Sequence, residues 1–236
     1  MSPRPGAAHI GIVACSAEGA ALCYRTICLE ALPRMGEHDH PRITLSGIPM
    51  ARHMECIARD DWKGVAALML DGAREVARAG AVFAICPDNT LHQALPDVLP
   101  ESPIPWLSIA DVVADEAVAR GFRRLGVLGT KYLMEGPVYR DALAPRGIEM
   151  RIPPADARAR IHRAIFGELV NAVFEERTRQ MFYDEIVALR AEGCDAAVLG
   201  CTEIPLIVRP EESSLPTLDS TRLLARAAVE RATGGR

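Results

Sequence analysis

The 236-residue chain lacks any long hydrophobic run. No stretch approaches the roughly 18 apolar residues that a membrane helix needs, which excludes a spanning segment. It also lacks an apolar signal core behind Met1-Ser2-Pro3-Arg4-Pro5, and Ile10–Cys15 is short enough to read as a strand, so a cytoplasmic location is expected. Basic charge is not in excess: 27 Lys and Arg stand against 31 Asp and Glu, a formal net charge of −4, which argues against a nucleic-acid binder. No CxxC pair occurs, and seven scattered cysteines are an odd count that fits no secreted disulfide framework. Cys23, Cys28, Cys56 and Cys194 read as small buried hydrophobes. His38 and His40 have no third ligand near them in sequence, so no metal site is expected.

What is there is the composition of an ordinary globular protein, 49% hydrophobic, 25% charged and 5% aromatic, which excludes disorder, collagen and coiled coil. The length allows one large domain or two small ones, either able to bury a proper core. Four short apolar runs each end in a small or polar cluster: His9–Cys15, Ala81–Cys86, Leu125–Thr130 and Ala196–Cys201. Runs of this kind suit strands buried on both faces of a parallel sheet. Between them lie helical patterns. Asp61–Ala79 carries apolar residues at Val65, Leu68, Met69, Ala73, Val76 and Ala77; Ile109–Arg120 and Met181–Ala191 are amphipathic; Asp219–Ala232 closes the chain, with Asp219 or Ser220 as its cap. Strands alternating with helices predict an α/β fold with a mostly parallel sheet.

The pattern echoes itself. Ile10-Gly11-Ile12-Val13 matches Leu125-Gly126-Val127-Leu128 at an offset of 115, and the same offset places Ala81–Cys86 on Ala196–Cys201. This predicts two similar α/β halves, residues 1–115 and 116–236, the second including the returning C-terminal helix. Pro96–Pro105 and the helix after it would form the crossover. If a pseudo-twofold relates the halves, the strand ends after Cys86 and Cys201 would face one cleft, because ligands of open α/β sheets bind at the carboxyl ends of strands.

Those two strand ends carry the chemistry. One reads Ile85-Cys86-Pro87-Asp88-Asn89-Thr90-Leu91-His92 and the other Leu199-Gly200-Cys201-Thr202-Glu203-Ile204-Pro205. Both place thiol, hydroxyl and carboxyl groups just past a buried strand, where helix N-termini and backbone N–H groups can lower a thiol pKa. Asn89-Thr90 with His92, combined with Gly200-Cys201-Thr202-Glu203, resembles the aspartate/glutamate racemase superfamily. The resemblance covers nearly the whole chain, with Ile10–Arg25 as its first strand, loop and helix, Leu125–Thr130 as its second-half strand, and Ile161–Val170 as a helix before the second motif.

The resemblance implies a cofactor-independent isomerase that racemises an amino acid or related carboxylic acid. Proton abstraction at the α carbon needs a base on one face and an acid on the other; two cysteines supply both in that family. No pyridoxal is needed if donors around the substrate carboxylate stabilise the carbanion. Carried over by similarity, Cys201 is one acid/base, and Asn89, Thr90 and Thr202 bind substrate. Ser16, Thr130 and Arg52 are further candidate contacts, Arg52 for a distal carboxylate, with Lys131 and Arg163 behind them; His92 positions the turn. A homodimer is implied.

The sequence departs from the family where a cysteine usually precedes Asn-Thr, because Asp88 stands there and the nearest cysteine is Cys86. The offset of 115 pairs Cys86 with Cys201. Anchoring on Asn89-Thr90 instead makes Asp88 the replacement and is favoured, since substrate contacts depend on that turn. The first loop, Ala14-Cys15-Ser16-Ala17-Glu18-Gly19, also differs from the family's glycine-rich loop. These departures leave two alternatives: a sister reaction, malonate-type decarboxylation or cis–trans isomerisation of a dicarboxylate, and a non-catalytic small-acid binding protein.

Overall fold

The structure, a computed structural model, describes residues 6–234. In chain order the first elements are β1 (Ile10–Ala14), α1 (Ala17–Met35), β2 (Ile43–Gly47), α2 (Met50–Ile57), α3 (Trp62–Arg78), β3 (Phe83–Ile85), α4 (Leu95–Val98) and β4 (Trp106–Leu107). Next come α5 (Ile109–Ala119), β5 (Arg124–Leu128), α6 (Lys131–Glu135), α7 (Val138–Leu143), β6 (Glu149–Arg151), α8 (Ala155–Gly167), α9 (Glu176–Ala191), β7 (Ala196–Leu199), α10 (Ile204–Ile207), β8 (Thr217–Asp219) and α11 (Ser220–Ala232). The expected α/β class holds, as two four-stranded parallel sheets flanked by helices.

The chain divides into two compact units. The first runs up to Ile109 and resumes from Thr221; the second is Ala110–Ser220. This differs from a division after residue 115 with α11 in the second half. The helix after β4 belongs to the second unit, and the helix after β8 belongs to the first. Periodicity shows that a helix has an apolar face but not which sheet the face covers.

In the first unit the strand order is β2-β1-β3-β4. Every residue of β1 and β3 is buried, as continuous apolar runs require. Helix α3 is capped by Asp61, whose carboxylate accepts from the Gly64 N–H at 2.8 Å, and it buries Val65, Leu68, Met69, Ala73 and Val76. It lies so close to β1 that a Cβ on Gly11 would stand 2.5 Å from Val76 Cγ2. Helix α11 is tied in by the Ala8 N–H donating to the Ala232 carbonyl at 2.8 Å, and by Arg34–Glu230 and Arg226–Glu30 ion pairs at 2.8 and 3.2 Å.

The second unit repeats the order as β6-β5-β7-β8. Its core gathers Leu128, Ile161, Phe182, Ile186, Leu189 and Leu199. Here α9 takes the part of α3, and a Cβ on Gly126 would stand 2.6 Å from Leu189 Cδ1. Helix α5 is held by Arg146, which pairs with Asp111 at 3.0 Å and with Asp115 at 2.8 Å. The strands β2, β4, β6 and β8 had no apolar signature in the sequence; each is short or partly exposed. Among the described residues no helix is long and apolar enough to cross a membrane.

Candidate active site

The internal registers decide which residue of the first motif corresponds to Cys201. Gly11 and Gly126 are equivalent, each admitting a helix against the central strand. Gly11 pairs with Ala84 and Gly126 pairs with Ala197. Asp88 stands four residues past Ala84, and Cys201 four past Ala197. Cys86 instead matches Leu199, a strand residue. The offset of 115, which pairs Cys86 with Cys201, therefore holds for β1 and β5 but slips by two residues at β3 and β7.

The surroundings of Cys86 agree. It is fully buried, and burial pushes its thiol well above the ordinary value; the Asp88 carboxylate and Cys23 push the same way, against a hydrogen bond from the Asp88 backbone. A thiol so placed ionises poorly. Asp88 is half-buried, and its Oδ1 accepts the Leu91 N–H at 3.1 Å. That bond closes the short 3₁₀ turn Thr90–Ala94. Asn89 and Thr90 are buried in the same turn.

His92 fixes this turn from behind. Its Nε2 accepts the Ile109 N–H at 3.1 Å, so Nδ1 carries the proton and donates it to the Asp88 carbonyl at 2.8 Å. A neutral ring with one donor and one acceptor satisfies both contacts. At the end of β1, Ser16 caps α1 by accepting the Gly19 N–H at 3.2 Å. Arg52 lies exposed on α2.

In the second unit Cys201 and Thr202 are buried just past β7. Cys201 Sγ donates to Glu203 Oε2 at 3.0 Å, and Thr202 Oγ1 donates to the same oxygen at 3.1 Å. Glu203 is buried, and its Oε1 has no hydrogen-bond partner among the described residues. Gly200 permits the close strand ends: a Cβ there would stand 2.9 Å from the Leu128 carbonyl oxygen. Thr130, past β5, caps α6 by accepting the Leu133 N–H at 3.1 Å. Lys131 pairs with Glu135 at 3.9 Å on the surface, and Arg163 is exposed.

The candidates thus gather at the carboxyl ends of parallel strands within each unit, where α/β sheets place their ligand-binding groups. Asp88, Asn89, Thr90 and Ser16 stand in the first unit; Cys201, Thr202 and Thr130 stand in the second. Glu203, buried and accepting from both Cys201 and Thr202, is a residue that sequence reasoning did not single out. Its signal was the spacing, two residues after a motif cysteine, but a glutamate in a turn ordinarily faces solvent. Among the described residues no group of three or more His, Cys, Asp or Glu is placed to hold a metal ion.

A family model for Asp/Glu/hydantoin racemases matches residues 12–228. The chain belongs to this family. Both strand-end motifs lie within the matched residues. Among its relatives is the broad specificity amino-acid racemase RacX of Bacillus subtilis, 22% identical over 214 residues that make up 86% of each chain. A solved aspartate racemase homologue from Pyrococcus horikoshii is 26% identical, with a TM-score of 0.82 over 95% of this chain and 99% of that one. An arylmalonate decarboxylase variant shares the fold at 16% identity, with a TM-score of 0.58 over 97% of this chain and 94% of that one.

Proposed function

We propose that the protein is a cofactor-independent amino-acid racemase in which Cys201 and Asp88 are the ionisable groups of the two motifs. The observation that carries this reading is the equivalence of Asp88 and Cys201 in the registers of the two sheets. An α proton next to a carboxylate is removed only if the electron pair left behind is stabilised. Asn89, Thr90 and Thr202 are the donors assigned to the substrate carboxylate, and the Ser16 and Thr130 hydroxyls are assigned as further contacts. Arg52 is assigned to a distal carboxylate, as an aspartate- or glutamate-like substrate would carry. The Glu203 carboxylate receives the Cys201 hydrogen when the sulfur serves as base.

A second reading is favoured by the same Asp88. Loss of carbon dioxide from a substituted malonate leaves the carbanion without a base, and one thiol then suffices to protonate it. Incubation in heavy water with each enantiomer of aspartate, glutamate and other amino acids separates the two. The racemase reading expects deuterium at the α carbon and its loss in Cys201→Ser. Decarboxylation of a substituted malonate with no α exchange would replace it, and ligand binding without either reaction would leave a binding protein. A homodimeric state and a cytoplasmic location belong to the same proposal; light scattering and cell fractionation test them.

A further inference from the structure

We propose that His162 is a positioning residue for the second motif: its ring holds the turn that carries Thr130 against the strand end that carries Cys201. The proposal rests on the racemase reading, in which Thr130 is a substrate contact. A helix start leaves its first N–H groups without partners inside the helix. At α6 the Thr130 hydroxyl takes the Leu133 N–H at 3.1 Å. The Lys131 N–H is taken by another helix: it donates to Nδ1 of His162, on α8, at 3.2 Å. The half-buried ring meets Tyr132 of α6 and Phe166 of its own helix edge to face, at centroid distances of 5.5 and 4.8 Å. The turn so held touches the residue before Cys201. A Cβ on Gly129 would stand 3.2 Å from the Gly200 carbonyl oxygen, and a Cβ on either glycine would stand 2.7 Å from Leu133 Cδ2. The Gly200 N–H donates to the Leu128 carbonyl at 2.7 Å. The start of α6 and the end of β7 are therefore packed without room for a side chain between them.

Nδ1 accepts only in the neutral ring whose proton sits on Nε2. Protonation sets an Nδ1–H against the Lys131 N–H, donor against donor, and the bond is lost. Burial holds the His162 pKa below the ordinary value; the Lys131 charge adds to this, the Glu135 carboxylate opposes, and the Arg163 charge adds again. Glu135 is also engaged by Arg158 at 2.9 Å, and Glu185, on the neighbouring α9, by Arg160 at 2.9 Å. The ring is therefore neutral at about pH 7 and above, and the turn loosens only as the pH falls below the ordinary histidine value of about 6.5. The first unit pins its own motif turn in a related way, with His92 Nε2 accepting the Ile109 N–H. The tautomers are opposite: the proton sits on Nδ1 in His92 and on Nε2 in His162.

One arm of the test needs no substrate. Nitrogen NMR of the imidazole rings at about pH 7.5 should show His162 with its proton on Nε2, and the Nδ1–H tautomer overturns the proposal. Hydrogen exchange of the Lys131 amide should be about tenfold faster in His162→Leu and within about twofold of wild type in His162→Asn, whose Oδ1 stands in for Nδ1 as acceptor. Equal protection in the wild type and both variants overturns it as well. The other arm is α-hydrogen exchange in heavy water with whichever amino acid exchanges best. His162→Leu should raise KM about fivefold or more and change kcat less, because Thr130 is a binding contact, while His162→Asn stays within about twofold of wild type in both. From about pH 7.5 to pH 5.5 the KM of the wild type should rise more than that of His162→Asn, which has no ring to protonate. The same rise in both proteins, or an unchanged KM in His162→Leu, overturns the link from His162 to substrate. If the wild type exchanges no amino acid, the racemase reading falls, while the tautomer and the Lys131 amide still decide whether His162 holds the turn.

Discussion

Single residues separate the two readings of the first motif. Cys86 is fully buried, and burial pushes its thiol well above the ordinary value, so it ionises poorly. Cys86→Ala should leave turnover within a few-fold of wild type, whereas Asp88→Asn should slow it by about tenfold or more, because general acid–base groups commonly contribute about 10² to 10⁴. Steady-state kinetics on whichever amino acid exchanges best makes the comparison. Glu203 is the second residue of this kind. Its Oε2 is the acceptor for both the Cys201 thiol and the Thr202 hydroxyl. Glu203→Ala should cost about 1–3 kcal/mol of stability by removing the acceptor of two buried hydrogen bonds, read from urea unfolding, while Glu203→Gln keeps an acceptor and should cost less.

At the scale of elements, helix α2 carries a pH dependence. His53 is fully buried there, and neither ring nitrogen has a hydrogen-bond partner among the described residues. Burial holds its pKa below the ordinary value and the Arg52 charge adds to this, with the Pro49 carbonyl opposing. The unfolded chain binds that proton at about 6.5, more tightly than the folded one does. The stability tied to neutral His53 is therefore complete above that pH and is lost as the pH falls below it. Urea midpoints should decline from about pH 7.5 to pH 5 in the wild type, and decline less in His53→Leu. The helix–strand contacts give a different prediction. Gly11→Ala drives a methyl into Val76 and should cost about 1–3 kcal/mol, and Val76→Ala in the same chain should recover part of it, in the same urea assay.

For the whole chain, the assignment of the last helix is the feature with consequences. Helix α11 buries Leu224, Ala225, Ala228 and Val229 and belongs to the unit of the first sheet. Burying each larger aliphatic side chain is worth about 1.5–3 kcal/mol, a sizeable part of the stability of a small unit. A chain ending at Ser220 should therefore expose β1–β4 to hydrogen exchange while β5–β8 stay protected longer. Equal loss of protection in both sheets would contradict this assignment.

The sequence by itself determined the α/β class, the four central strands and the two motifs, because buried parallel strands must be apolar throughout and Ile10–Ala14, Phe83–Ile85 and Ala196–Leu199 say so locally. Only the tertiary structure decided which sheet each helix after β4 and β8 covers, that Asp88 and not Cys86 corresponds to Cys201, and that Glu203 is buried against two donors. Those facts depend on strand register and on contacts between segments far apart in the chain, and a hydrophobic pattern has no term for either.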